Sequence, residues 1–231
     1  NKYNKNLISF RSFIKGEISP YLWEHASTLQ TLNITPPDML PNRDAADEKY
    51  FKLSRNLISK YDLNKIQSLT VHINPLSFFH KGMKKLKIRS LCLNLRDDTL
   101  NAEPVDESVH YYDIFDKDSL KELEMLSWYN ESSTDIDIYS IWKLEEFFEF
   151  KNIESLSFLS LFKNENYIQS CIKNFSRLQR LKVDFMFDAT ISKETLDMMS
   201  RSKCAKILKY IDIKIEDFDN PLLFVENDEI S

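Results

Sequence analysis

The sequence predicts an α/β protein: an irregular solenoid whose curved parallel sheet is backed by outer helices. Three observations predict it. An apolar-x-x-apolar-x-apolar pattern recurs seven times along 231 residues. Helical periodicity fills several of the intervals between copies. The chain also holds only two glycines, Gly16 and Gly82. That is too few for hairpin-dense all-β folds, which need glycine at positive φ, or for glycine-rich phosphate loops.

The copies are Leu29-Gln-Thr-Leu32-Asn-Ile34, Ile66-Gln-Ser-Leu69-Thr-Val71, Ile88-Arg-Ser-Leu91-Cys-Leu93 and Leu120-Lys-Glu-Leu123-Glu-Met125, then Ile153-Glu-Ser-Leu156-Ser-Phe158, Leu178-Gln-Arg-Leu181-Lys-Val183 and Leu208-Lys-Tyr-Ile211-Asp-Ile213. Their starts are 37, 22, 32, 33, 25 and 30 residues apart. Self-similarity at this period marks stacked units, each unable to bury its apolar face alone.

The elements follow in order. Residues 1–28 read as an amphipathic helical cap, with Ile8, Phe10, Phe13 and Ile14 before Pro20 and Tyr21, Leu22 and Trp23 after it. Thr35-Pro36-Pro37 stops the first strand. Residues 43–61 read as a helix on Tyr50, Leu53, Leu57 and Tyr61. A basic run, Lys81, Lys84, Lys85, Lys87 and Arg89, leads into the third strand. The acidic stretch 97–118, with Pro104, reads as a long mobile loop. A helix near 138–150 carries Ile141, Leu144, Phe147 and Phe148. A compact helix carries Tyr167, Ile168, Cys171, Ile172 and Phe175. In the segment from Ile191, Ser192 and Thr195 are candidate N-caps, with Leu196 and Met199 turned inward. The repeats span 29–215, the last strand ending at Ile213 or Ile215. The acidic tail 216–231 has an apolar centre, Pro221-Leu-Leu-Phe-Val225.

A strand-then-helix unit headed by Leu-x-x-Leu-x-Leu resembles the leucine-rich repeat family. The family's Asn or Cys after the last apolar position is matched only at Asn74; Pro37, Arg96, Trp128, Leu161, Met186 and Glu216 stand elsewhere. Repeats this irregular resemble the repeat region of fungal F-box/leucine-rich-repeat proteins. That resemblance implies a substrate-binding region downstream of an F-box that docks the Skp1 adaptor of a cullin ubiquitin ligase. No F-box is found in this chain. It opens Asn-Lys-Tyr-Asn-Lys without an initiator Met, and the expectation is a fragment with sequence missing upstream.

Function in such an architecture lies on the concave face, where strand residues alternate away from the core. Most of those positions are small or polar. Leu126 and Leu159 are the exceptions, and Met125-Leu-Ser-Trp128 and Phe158-Leu-Ser-Leu-Phe162 are apolar on both strand faces. A strand apolar on both faces is covered by something. Either a partner covers it, or the chain's own Leu222-Leu-Phe-Val225 or 97–118 segment does. The candidate protein-binding residues are Glu122, Glu124, Leu126, Ser157, Leu159, Arg180, Lys182, Asp184 and Tyr210.

Catalytic and metal signatures are weak. His25, His72, His80 and His110 make no i, i+4 pair, there is no Cys-x-x-Cys, and Asp135-Ile-Asp137 lacks an EF-hand's glycine and glutamate. Cys92, Cys171 and Cys204 are odd in number and widely spaced, as in reduced intracellular proteins. The net charge of −5 argues against a nucleic-acid binder, and the basic run reads as a solvated rim offsetting the acidic stretch. No apolar run approaches a membrane span. The expectation is a cytoplasmic or nuclear protein-recognition module without enzymatic activity, cofactor or metal. Two other binding roles fit the pattern, a regulator of a small GTPase and a kinetochore or chromatin assembly subunit.

Overall fold

A computed structural model describes residues 9–13, 30–35, 65–71, 84–96, 108–128, 143–159, 166–186 and 191–216. Eight strands form one open, wholly parallel sheet in sequential order. They are β1 (Ser9–Phe13), β2 (Thr31–Thr35), β3 (Ser68–Val71), β4 (Ser90–Arg96), β5 (Glu122–Trp128), β6 (Ser155–Leu159), β7 (Arg180–Met186) and β8 (Tyr210–Glu216). Among the described residues the outer layer holds the one-turn helix α1 (Tyr111–Ile114), a 3-10 helix (Leu144–Glu149), α2 (Asn166–Asn174) and α3 (Lys193–Arg201). Strict chain order in a parallel sheet is compatible with a solenoid.

The apolar-x-x-apolar spacing needs a structural explanation. In a regular strand, residues three apart point to opposite faces. Yet Ile66, Ile88, Leu120, Ile153 and Leu178 are as buried as the strand residues three places on. The backbone resolves this at the strand entries. The Gln67 carbonyl accepts from both Arg89 N–H (2.7 Å) and Ser90 N–H (2.9 Å). The carbonyls of Gln30, Arg89, Lys121, Glu154 and Gln179 each accept two successive N–H groups of the next strand in the same way. Each such carbonyl is shared between two donors, and Ile66, Ile88, Leu120, Ile153 and Leu178 lie before the regular ladder, where strict alternation does not apply and their side chains turn to the core. The same entry recurs in consecutive repeats, and the strands pair one residue for one.

The register aligns like with like. Leu69 pairs with Leu91, Leu123 with Leu156 and Leu181 with Ile211. Leu91, Leu93, Phe158, Leu181 and Val183 are fully buried. Ile211 on edge strand β8 is 43% exposed, the core row running out at the last strand.

Several elements differ from the sequence expectation. Residues 9–13, placed above in a helical cap, form β1. Phe10 registers with Leu32 and Ser12 with Ile34, so Leu7-Ile-Ser-Phe10-Arg-Ser12 is an eighth copy whose third apolar position is serine. The described part of the acidic stretch is built into the fold. Val109, Tyr111, Ile114 and Phe115 are buried, and Phe115 forms a parallel bridge with Leu86. These four apolar side chains outweigh the acidity of their neighbours. The helix near 138–150 is a 3-10 helix over Leu144–Glu149. Its three-residue turn brings Phe147 and Phe150 onto one face, and both are fully buried. On α3, Ser192 is the N-cap, its Oγ accepting from Thr195 N–H at 3.2 Å. Thr195, not Leu196, then faces inward beside Met199. Gln169 donates to Thr195 Oγ1 at 2.8 Å, whereas Leu196 is 50% exposed. The last strand runs on to Glu216.

The compact helix is α2 as expected, with Ile168, Cys171 and Ile172 buried. In the basic run, Leu86 and Ile88 are buried while Lys84, Lys85, Lys87 and Arg89 are exposed. The helix expected over 43–61, residues 14–28, Asn74, the acidic segment 97–107, Ile141 and the tail from 217 lie outside the described residues.

Candidate functional site

All nine candidate residues lie on the face of the sheet opposite the core, and the register groups them in three rows. The first row runs Ser90, Glu122, Ser155, Arg180 and Tyr210 from β4 to β8. The second runs Cys92, Glu124, Ser157, Lys182 and Asp212. The third begins Asn94, Leu126 and Leu159, with Asp184 at the matching position of β7, paired to Lys214 of β8. Read down the strands, β5 presents two glutamates and a leucine, β6 two serines and a leucine, and β7 an arginine, a lysine and an aspartate.

These side chains are mostly half-buried, as neighbours 4.7–4.9 Å away in a parallel sheet shade one another. Leu126 and Leu159 are half-buried too, so among the described residues this face remains partly open. Leu161 and Phe162 lie outside those residues, as does the tail that was the alternative cover.

The electrostatics are lopsided. Glu122 Oε1 lies 3.4 Å from Arg89 Nε at the sheet margin, an exposed pair worth little on its own. Among the described residues Glu124, Arg180 and Lys182 form no ion pair. The result is an acidic column and a basic column separated by the serines of β6. Tyr210 is 52% exposed and donates to Asp212 Oδ2 at 3.2 Å on the edge strand.

Strand alternation puts Asn94 on this outward face, yet it is not exposed. It is 8% exposed, next to Leu126, and its Oδ1 is buried without a hydrogen-bond partner among the described residues. Asp184 Oδ1 is likewise buried and unpartnered. A buried acceptor left unmatched costs about 1–3 kcal/mol. The third row therefore holds an apolar pair with an unsatisfied oxygen on each side. The only hint in the sequence was a polar residue level with two leucines in neighbouring copies.

Cys92 is held as an inert thiol. Burial first, then the Glu124 carboxylate beside it, push its pKa up to about 12, against a lowering hydrogen bond with Thr70. Burial raises the Cys171 thiol as well, and Cys204 is buried. His110 is engaged elsewhere, in the outer layer. The Glu146 carboxylate lies 2.7 Å from His110 Nδ1 and accepts from Tyr111 N–H at 2.8 Å. Among the described residues no three His, Cys, Asp or Glu side chains converge to hold a metal, and no helix is long and apolar enough to cross a membrane.

The architecture is an open parallel sheet compatible with a solenoid, with one face partly open among the described residues. Comparison with known proteins places it further. The chain is 34% identical over 226 residues to F-box protein YDR131C of Saccharomyces cerevisiae, covering 92% of this chain and 41% of that protein. It is 26% identical over 170 residues to F-box protein DAS1 of the same yeast, covering 69% of this chain and 25% of that one. The chain is thus similar to part of two F-box proteins. It spans less than half the length of these two relatives. No protein-family model matches it, and no solved structure does.

Proposed function

We propose that this chain is the partner-binding leucine-rich-repeat region of an F-box-type adaptor of a Skp1–cullin ubiquitin ligase. Its role is to hold a protein substrate against the open face of the sheet, the concave face in such solenoids. It acts by recognition, without catalysis, in the cytoplasm or nucleus. The observation that carries the reading is the third row of that face. Leu126 and Leu159 are partly open to solvent between two unsatisfied oxygens, on a strand surface otherwise polar. Kinship with two F-box proteins supplies the ligase context.

The test uses the full-length protein in its own cells. A variant with Leu126→Asp and Leu159→Asp should keep co-purifying Skp1 while losing its other partners. Failure of the wild type to co-purify Skp1 would refute the ligase reading. An unchanged partner set in the variant would refute the role of this face.

A further inference from the structure

We propose that β5, β6 and β7 bind an extended peptide segment laid across the strands, carrying a basic and an acidic side chain about three residues apart with an aliphatic side chain between them. The inference rests on the recognition role proposed above and names the chemistry of the partner.

The open face dictates this pattern column by column. Glu122 and Glu124 on β5 select a cationic side chain. Arg180 and Lys182 on β7 select an anionic one. Two inter-strand steps separate these columns, roughly 10 Å, which an extended chain covers in about three residues. In the next row along the strands Leu126 on β5 and Leu159 on β6 form an apolar floor, level with each other in the β5–β6 register. The charged residues are poised rather than spent: Glu124, Arg180 and Lys182 form no ion pair among the described residues.

The columns set the direction of the segment: one running across the strands meets β5, β6 and β7 in turn, whereas one running along a strand meets a single column. Opposed charge columns also exclude uniformly acidic or basic partners, since like charges repel at one column or the other.

Two measurements test it. A photo-reactive phenylalanine analogue replaces Ser157 in the full-length protein in its own cells, and cross-linked segments are sequenced. Adducts to another protein at a segment with the basic–aliphatic–acidic pattern support the proposal. Adducts to segments without that pattern overturn it while leaving recognition by this face intact. No adduct, or adducts only to this chain itself, overturns it together with the recognition reading.

The second measurement uses labelled twelve-residue peptides with the cores Lys-Ser-Leu-Asp, Glu-Ser-Leu-Asp and Lys-Ser-Leu-Lys, followed by anisotropy. The wild type should prefer the first by about fivefold, the upper range for an exposed charge pair. Arg180→Glu with Lys182→Glu should shift the preference to the doubly basic peptide. Glu124→Lys should shift it to the doubly acidic one, an independent check should the first variant misfold. Equal binding of all three peptides by the wild type overturns the proposal.

Discussion

Leu126 on β5 stands directly level with Leu159 on β6, on the face of the sheet turned away from the core. Each is one residue from a side chain buried in the core, Met125 at 4% exposure and Phe158 at 0%. The contrast makes a sharp mutational pair. Leu126→Asp with Leu159→Asp removes only half-buried apolar surface and should cost about 1–2 kcal/mol in urea unfolding, leaving a cooperative transition. Phe158→Ala alone should cost about 3–5 kcal/mol, since it empties a closed site. If the leucine pair unfolds the protein as severely as Phe158→Ala, the face is internal packing and not a binding surface.

Glu146 joins two outer-layer elements that the chain separates by 35 residues. An ionised carboxylate only accepts, so its contact with His110 places the proton on Nδ1. Its other oxygen satisfies a free N–H in the first turn of α1. The rings of Tyr111 and Phe147 pack behind it in a tilted arrangement, centroids 4.3 Å apart. Glu146→Ala should therefore destabilise by about 2–3 kcal/mol, the range for charge-assisted hydrogen bonds. Much of that loss should be absent in a His110→Ala background if the two residues act as a pair, which a double-mutant cycle in urea measures.

Asp116 gives the fold an acid sensitivity. Its Oδ1 accepts from Ser119 Oγ at 2.8 Å, Ser119 N–H at 3.0 Å and Asp118 N–H at 3.1 Å. The Ser119 hydroxyl foremost, then the backbone N–H groups and Lys87, hold its carboxyl below the ordinary value of 3.8, outweighing the opposite effect of burial. A depressed carboxylate stabilises the fold fully above its unfolded pKa and loses that contribution as pH falls through the folded one. Stability should therefore decline below pH 3.8. Asp116→Ala should cost about 1 kcal/mol at neutral pH and flatten the acid limb of a stability-against-pH curve. An acid limb as steep as wild type would show that Asp116 is not a contributor.

The ladder was legible because seven copies keep all three apolar positions, and in the five copies from Ile66 to Val183 every such position lies in one continuous core. The exceptions share a cause. Ser12 breaks the pattern at its third position, and parallel pairing with β2 overrides the local helical appearance of Phe10 and Phe13. Leu196 looked like the inward residue because hydropathy alone ranks it above Thr195. The Ser192 cap and the Gln169 hydrogen bond instead set the phase of α3. The candidate face was readable from alternation alone. The burial of Asn94 was not, because it depends on which side chains stand beside it in neighbouring strands, a relationship that emerges only once register is known.

Cys92 tests whether any chemistry is hidden in this face. It lies level with Thr70 and Glu124, and the pKa of about 12 leaves almost no thiolate at neutral pH. Iodoacetamide at pH 8 should alkylate Cys92 in the native protein at least about a hundredfold more slowly than in urea. Glu124→Gln removes the adjacent negative charge and should speed the native reaction, but only modestly, since burial is the larger cause. Mass spectrometry of the alkylated peptides resolves Cys92 from the buried Cys171 and Cys204. Rapid native alkylation of Cys92 would contradict a face built purely for recognition and would reopen it as a site of nucleophilic chemistry.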